Sequence, residues 1–474
     1  MSRRWIPWLL AAGSFDFALE QAIVSPALPA IQVQYGASPT TVVWLVTGFL
    51  LGATVATPVA GRLGDRLGRR RVLVLSLFAF AAGSLMCALG ASIGVLIAGR
   101  VVQGLGAGVG PLTLALACEG LEPHRVARVV GLLVGAAGLG AISALVGAVL
   151  VDHVSVSSIF WLLLGVALCL AVFIDRTVPE TPQQANTLVD WPGAALLAAG
   201  LGGVMLVVSQ GDAWGWGSPA MLSLEGGAAV LLVAFVVREM HTPSPLFDVA
   251  TLRARPMWTA DVAVFVVGFS FIVAFTLVPL IAGYPSATGY GLGLSTTNIA
   301  LVLVPAAVAS LIAGLLAGRL ARLVGSRNLA LAGTACALTT YVALITLHWT
   351  AATLAVAMVP LGLGLGLSLS AILDVIVMSS GAHETGVTIA LNNVIRSIGS
   401  VLGPQVAIAV VLATPSLVPG LPAEAGFRNA LVMGAIATGV AVLLLSLIPG
   451  PSADPVRQEV ADAASWPWLS AAKR

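Results

Sequence analysis

The chain has 474 residues, of which 58% are hydrophobic and only 9% charged, and its mean hydropathy is +1.02. Soluble globular proteins carry about 25% charged residues, so a soluble fold is excluded and a bilayer is the solvent that suits this chain. The net charge of +2 excludes little, although the positions of the charges are informative. Cys87, Cys118, Cys169 and Cys336 are scattered through apolar stretches with no CxxC spacing, which argues against metal or redox chemistry. Lys473 is the only lysine among 22 basic residues, a bias expected of a GC-rich bacterial genome.

In chain order, the sequence predicts an all-α membrane protein with fourteen spans. Met1-Ser-Arg-Arg4 runs into apolar residues without a small-residue cleavage site, so the first stretch reads as a retained span. A helix needs about 20 apolar residues to cross the hydrocarbon core. Such stretches occur at 6–31, 41–61, 72–91, 93–118, 127–151 and 157–175, then at 191–209 and 219–237. Six more follow at 257–283, 297–317, 328–347, 351–378, 386–412 and 428–449. The expected organisation is a six-helix bundle over 1–176, two inserted spans with flanking loops over 177–256, a second six-helix bundle over 257–449, and a tail over 450–474. A count of twelve would need 191–209 and 219–237 to be re-entrant or soluble, which their length and apolarity oppose.

Positive charge tests the count. With the amino terminus inside, the inner loops are 62–71, 119–128, 238–255 and 318–327. They hold Arg62, Arg66, Arg69, Arg70 and Arg71; Arg125 and Arg128; Arg238, Arg253 and Arg255; and Arg319, Arg322 and Arg327. The outer loops hold Arg428 alone. This asymmetry predicts a multi-pass plasma-membrane protein with both termini in the cytoplasm. The stretch Gly318-Arg-Leu-Ala-Arg-Leu-Val-Gly-Ser-Arg-Asn328 also echoes the glycine and arginine spacing of residues 61–71. Repeated halves with a site between them near the midplane are a common transporter plan.

Gly61-Arg-Leu-Gly-Asp-Arg-Leu-Gly-Arg-Arg-Arg-Val72 resembles the GxLxDRxGRR signature of the major facilitator superfamily. Arg100-Val-Val-Gln-Gly-Leu-Gly106 is similar to that superfamily's fourth-helix pattern. Asp190-Trp-Pro-Gly193, Trp214-Gly-Trp216, Glu384-Thr-Gly-Val387 and Asn392-Asn-Val-Ile-Arg-Ser-Ile-Gly399 resemble stretches of its fourteen-span drug/proton antiporters. The resemblance implies the major facilitator fold, alternating access driven by a proton gradient without a cofactor, and a role for Arg100 in proton transfer. The chain also departs from the pattern. Ser143-Ala-Leu-Val-Gly-Ala148 lacks the proline and paired glycines of the antiporter motif, Val156-Ser-Ser158 replaces a Trp-Arg-Trp, and Arg322 stands in the second repeat where Asp65 stands in the first.

Charges inside a span cost roughly 2.5–3.5 kcal/mol each on insertion scales, so each needs a reason. Asp16 and Glu20 are four residues apart, on one face of the first helix. Two close carboxylates in a low-dielectric cavity form a candidate proton site, with Glu20 as proton carrier and Asp16 assisting or meeting cationic substrates. The alternative is solvation by a water-filled cavity, or structural hydrogen bonding. Arg100 and Glu20 lie at similar depths, two and three turns from the outer surface, so an ion pair between them is expected; a fixed structural contact for Arg100 is the alternative. Gln103, Asn392 and Arg396 join Asp16 and Glu20 as candidate cavity residues. Arg396 in mid-span meets either an anionic substrate group or neighbouring helices. Asp261 and Asp374 fall near span ends and read as gate or helix-end contacts.

Gly61, Gly64, Asp65, Arg66, Gly68 and Arg69 form a candidate conformational latch. Asp65 would accept from helix N-terminal amides or from arginine across the two halves. The glycines of 104–110, 131–140 and 362–366 read as close helix packing, with no phosphate loop, Walker motif or metal cluster. The reading is a monomeric transporter, not an enzyme, whose partners are protons, the lipid bilayer and a small amphipathic substrate, with no nucleic acid. Export of an endogenous metabolite or lipid is the runner-up, and a non-transporting membrane sensor a further class.

Overall fold

In hydrocarbon every backbone N–H and C=O must find its partner within the protein, and continuous runs of about 20 apolar residues do so as helices. The computed structural model describes residues 6–118, 145–180, 189–242, 255–379, 385–414 and 422–447. Its helices are α1 (Ile6–Ala22), α2 (Leu28–Tyr35), α3 (Pro39–Leu67), α4 (Arg69–Ala88), α5 (Ile93–Leu105), α6 (Val109–Cys118), α7 (145–153) and α8 (Val156–Thr177). They continue as α9 (Trp191–Trp214), α10 (Pro219–His241), α11 (Arg255–Gly283), α12 (Thr296–Val324), α13 (Ser326–Thr346), α14 (Ala351–Ser379), α15 (Thr385–Leu412) and α16 (Glu424–Ser446). Several starts are written in the sequence as Ser or Asp caps. Ser38, Ser92, Asp190, Ser218 and Ser295 each accept from a backbone N–H three residues on, and Pro39, Pro219 and Pro192 sit in the first turns of α3, α10 and α9.

Among the described residues, 12 helical segments are long and apolar enough to cross a membrane. Both inserted stretches, α9 and α10, are among them. The stretch expected as the first span forms α1, a short 3-10 turn at Ser25–Ala27 and α2, with Pro26 and Pro29 at the break, and it is not among the twelve. Most of the expected span 127–151 lies outside the described residues, as do the loop arginines Arg125, Arg128 and Arg253 and the tail 450–474. The expected span 93–118 is interrupted by a 3-10 turn at Gly106–Gly108.

α3, α4, α5 and α8 pack side by side, with α1 against α6 and α8. In the second half α14 lies between α12 and α13, and α11 packs on α15 and α16. α3 meets α15 across the seam between the halves, and α2 meets α11. α9 touches both α3 and α15, with Ala194, Leu197 and Leu201 packed beside Val59 and Val394, while α10 rests on α9 and is little buried. Close approach depends on missing side chains at a few points. A Cβ on Gly104 would collide with the carbonyl of Phe49 and with Gly52, and one on Gly52 with the carbonyl of Val101, so these glycines let α3 and α5 touch backbone to backbone. Gly362 sits against the backbone of Ala306 and Gly364 against Gly333, which gives the 362–366 glycines a packing role.

The stretch 61–72 is more helical than a loop. Gly61 to Leu67 complete α3, and Gly68, with φ of 99°, makes the turn alone before α4 starts at Arg69. The repeat copy behaves alike: Gly318 is helical and Gly325, with φ of 83°, turns between α12 and α13. Both turning glycines occupy a backbone region that side chains with a Cβ rarely adopt.

Candidate functional site

α1 carries the two acids into the interior. Asp16 and Glu20 are both 0% exposed, and none of their four carboxylate oxygens has a hydrogen-bond partner among the described residues. The two carboxyls lie within hydrogen-bonding reach of each other once one is protonated. Packing holds them there: Phe17 lies against Gly110, and the Ser14 and Thr113 hydroxyls are 3.4 Å apart. An ionised carboxylate buried without a partner costs several kcal/mol, roughly, which makes this pair a candidate proton or cation site.

The expected ion pair between Glu20 and Arg100 is not formed. Arg100, 1% exposed, donates from Nε to the Leu45 carbonyl at 2.8 Å and from its terminal NH1 nitrogen to Gln103 Oε1 at 2.8 Å. Its guanidinium lies over the Phe49 ring, 4.4 Å from the centroid. Gln103 passes the network on, donating to Ser84 Oγ at 2.8 Å, and Ser84 donates to the Phe80 carbonyl. Local acceptors on α3 and on Arg100's own helix outcompete a carboxylate two helices away. Arg100 therefore sits near enough to act on Glu20 through its charge while its hydrogen bonds tie α5 to α3 and α4. Gln103 has both ends of its amide engaged, so its expected place in the cavity is replaced by a structural one.

In the second half, Asn392 on α15 donates to Asp261 on α11 at 2.9 Å, and both side chains are buried. Arg396, one turn along α15, is half-buried and makes no hydrogen bond to a described residue, while its carbonyl accepts from Ser400 Oγ at 3.0 Å. The side chains of Asn393 and Asp374 lie outside the described residues.

Among the described residues, the candidate latch meets partners in the first half. Asp65 near the end of α3 pairs with Arg69, the first residue of α4, at 3.1 Å. The partner that sequence reasoning missed is Glu180, just past the end of α8. Its carboxylate accepts from the Arg70 backbone N–H at 3.1 Å and forms ion pairs with Arg70 Nε and Arg71 Nε at 3.5 Å each. Arg70 also donates to the Asp175 carbonyl at 2.9 Å. A Cβ on Gly68 would run into the Glu180 carboxylate, so the glycine both makes the turn and admits the acid. Gly64 packs on Leu112 of α6, whereas Gly61 faces open space. The only hint of Glu180 in the sequence is an isolated acid after Val178-Pro179.

A second anchor missed from sequence is a fork between Arg238 and Asp190. Arg238 Nε lies 2.8 and 2.9 Å from the two Asp190 oxygens, and a terminal nitrogen 2.7 Å from one of them, which bolts α10 to the start of α9. Beside this hairpin lies an apolar cavity of about 550 Å³, lined by Trp44 of α3 and by Ala199, Leu206, Leu224 and Leu231. It is remote in chemistry from the acid pair.

Residues 10–404 match the Major Facilitator Superfamily. An uncharacterized MFS-type transporter of Mycobacterium tuberculosis is 32% identical over 319 residues, 66% of this chain and 46% of the relative. The multidrug transporter protein MdtP of Bacillus subtilis is 27% identical over 466 residues, 95% of this chain and 84% of the relative. The chain spans about half the length of several curated relatives that it matches. Among solved structures, the nucleoside transporter NupG superposes with a TM-score of 0.62 at 12% identity, covering 94% of this chain and 99% of that one, a likeness of fold alone.

Proposed function

The chain belongs to the Major Facilitator Superfamily, and we propose that it is a proton-coupled exporter of small amphipathic compounds that works by alternating access. The observation that carries this reading is the buried acid pair. Among the described residues no hydrogen-bond partner meets the Asp16 and Glu20 carboxylates, and the single nearby cation, Arg100, does not offset two negative charges, so the resting site holds a proton, and exchanging it for a cationic or polar substrate group couples transport to the gradient. Arg100, held by Leu45 and Gln103, supplies a fixed positive charge beside the pair without occupying it. Arg396, in the other half, makes no side-chain hydrogen bond to a described residue and would meet an acceptor group of the substrate. The name of MdtP as a multidrug transporter fits this reading.

We place fourteen spans in the bilayer: the twelve above, the broken helix α1–α2, and 127–151 ending in α7. The basic loops then face the cytoplasm, with both termini. The Gly68 turn, clamped by Glu180, stiffens the first half as a body that can rock against the second. Export of a lipid-like endogenous compound is a second reading, favoured by the apolar cavity beside α9 and α10. Substrate-driven proton movement in proteoliposomes tests the proposal.

A further inference from the structure

Helix α12 has its own cap. Ser295 Oγ accepts from the Asn298 N–H, and the Ile299 N–H bonds to the Ser295 carbonyl at 2.9 Å. The N–H groups of Thr296 and Thr297 are left over, as the first donors of any helix are. A residue 144 positions earlier takes both. Asp152 Oδ1 accepts from Thr296 N at 2.8 Å, and Oδ2 accepts from Thr297 N at 2.6 Å. Asp152 lies in the last turn of α7, in the first half, and α12 belongs to the second, so the contact crosses the seam. It lies at the end of the molecule opposite Gly68. Two weaker crossings accompany it there: Ser25 Oγ donates to the Phe275 carbonyl at 2.7 Å, and Gln32 and the Tyr284 hydroxyl are 3.4 Å apart.

We propose that Asp152 is the catch that holds the two halves closed at this end, and that it must release the first two amides of α12 before the central cavity can open there. A carboxylate on a helix N-terminus joins charge-assisted hydrogen bonds to a favourable dipole. Each oxygen matches one amide, so a neighbouring polar group does not replace the pair. When the halves part, water solvates both amides and the carboxylate, so the contact weights the closed state alone. Such a differential contact is what shifts a two-state equilibrium. The inference rests on alternating access, and on neither proton coupling nor substrate identity.

Spin labels at Val33 and Ala287, both exposed at this end, report the opening as a distance distribution in a cysteine-free background. Asp152→Asn should raise the open-to-closed ratio about tenfold, the size of one charge-assisted contact. Thr296→Pro deletes one donor from the catch at the first helical position, where proline is tolerated, and Ser295 already has the extended backbone that precedes proline. It should shift the ratio the same way, and the double variant should add little. Ser295→Ala removes the cap of α12 without touching the seam and should leave the ratio unchanged. An unaltered distribution in Asp152→Asn and Thr296→Pro overturns the proposal. So does a shift of equal size in Ser295→Ala, which would make the effect one of helix stability. None of these readouts needs transport, so failure of the catch and failure of the exporter reading are separable.

Discussion

Replacing Arg100 with alanine removes two hydrogen bonds from a charged donor and one face-on contact with Phe49. Hydrogen bonds to charged groups contribute about 1.5–3 kcal/mol each and a cation over an aromatic face about 1 kcal/mol. The variant also strands Gln103 Oε1, at about 1–3 kcal/mol for a buried acceptor. Against this, the chain no longer has to desolvate a guanidinium, which returns part of the total. The net loss should be about 3–5 kcal/mol, the range seen when one member of a buried charged network is deleted. Arg100→Lys keeps the charge but cannot reach the Leu45 carbonyl and Gln103 together, so about half of that loss should remain. Thermal unfolding in detergent, followed by intrinsic fluorescence of the 11 tryptophans, reads the difference. Gln103→Ala in the Arg100→Ala background should cost little more, because the two act through one network. If Arg100→Ala melts with the parent, or if the two substitutions add in full, Arg100 is not the tie between α3, α4 and α5 described here.

The turn at Gly68 should separate from its neighbours in the motif. Gly68→Ala should destabilise by about 2 kcal/mol, from a backbone conformation reserved for glycine and a collision with Glu180, whereas Gly61→Ala, in open space inside α3, should be neutral or slightly stabilising by the same unfolding assay. The α9–α10 anchor should respond to acid. Burial works to raise the Asp190 carboxyl, but the hydrogen bonds from Arg238 and Gly193 and the Arg238 charge outweigh it and hold the carboxyl below its ordinary value of 3.8. A carboxyl held low contributes stability that is full above its unfolded value and is lost as pH falls through the folded one. The stability difference between the parent and Asp190→Asn should therefore hold constant from pH 7 to roughly pH 4 and shrink below it. A difference already shrinking between about pH 7 and pH 5 would assign the anchor to another group.

The hydropathy pattern carried the helices but not their ends. A window of apolar residues locates the stretch inside hydrocarbon, whereas α3 runs on through polar residues from Gly61 to Leu67, up to the Gly68 turn, and Asp65 near its end pairs with Arg69 at the start of α4. Both turning glycines lie inside repeats visible in the sequence, yet spacing alone does not tell Gly68 from Gly61 or Gly64, since only one of the three needs positive φ. Depth counting put Glu20 and Arg100 at one level but says nothing of direction around each helix, and Arg100 turned toward Leu45 and Gln103. Asp152 and Glu180 were invisible for a common reason. Both bind backbone amides at helix starts, and an amide donor leaves no mark in the residue types that carry it. The acid pair was legible because a carboxylate inside an apolar run is costly wherever the chain folds.

In the proposed function the Asp16–Glu20 pair carries the coupled proton. Proteoliposomes with a trapped pH-sensitive dye, challenged with a lipophilic cationic compound, measure proton movement driven by substrate. The parent protein should show it, Glu20→Gln should abolish it while melting normally, and Asp16→Asn should weaken it. Substrate-driven proton movement in Glu20→Gln at the parent rate, with an unchanged pH profile, would contradict the account.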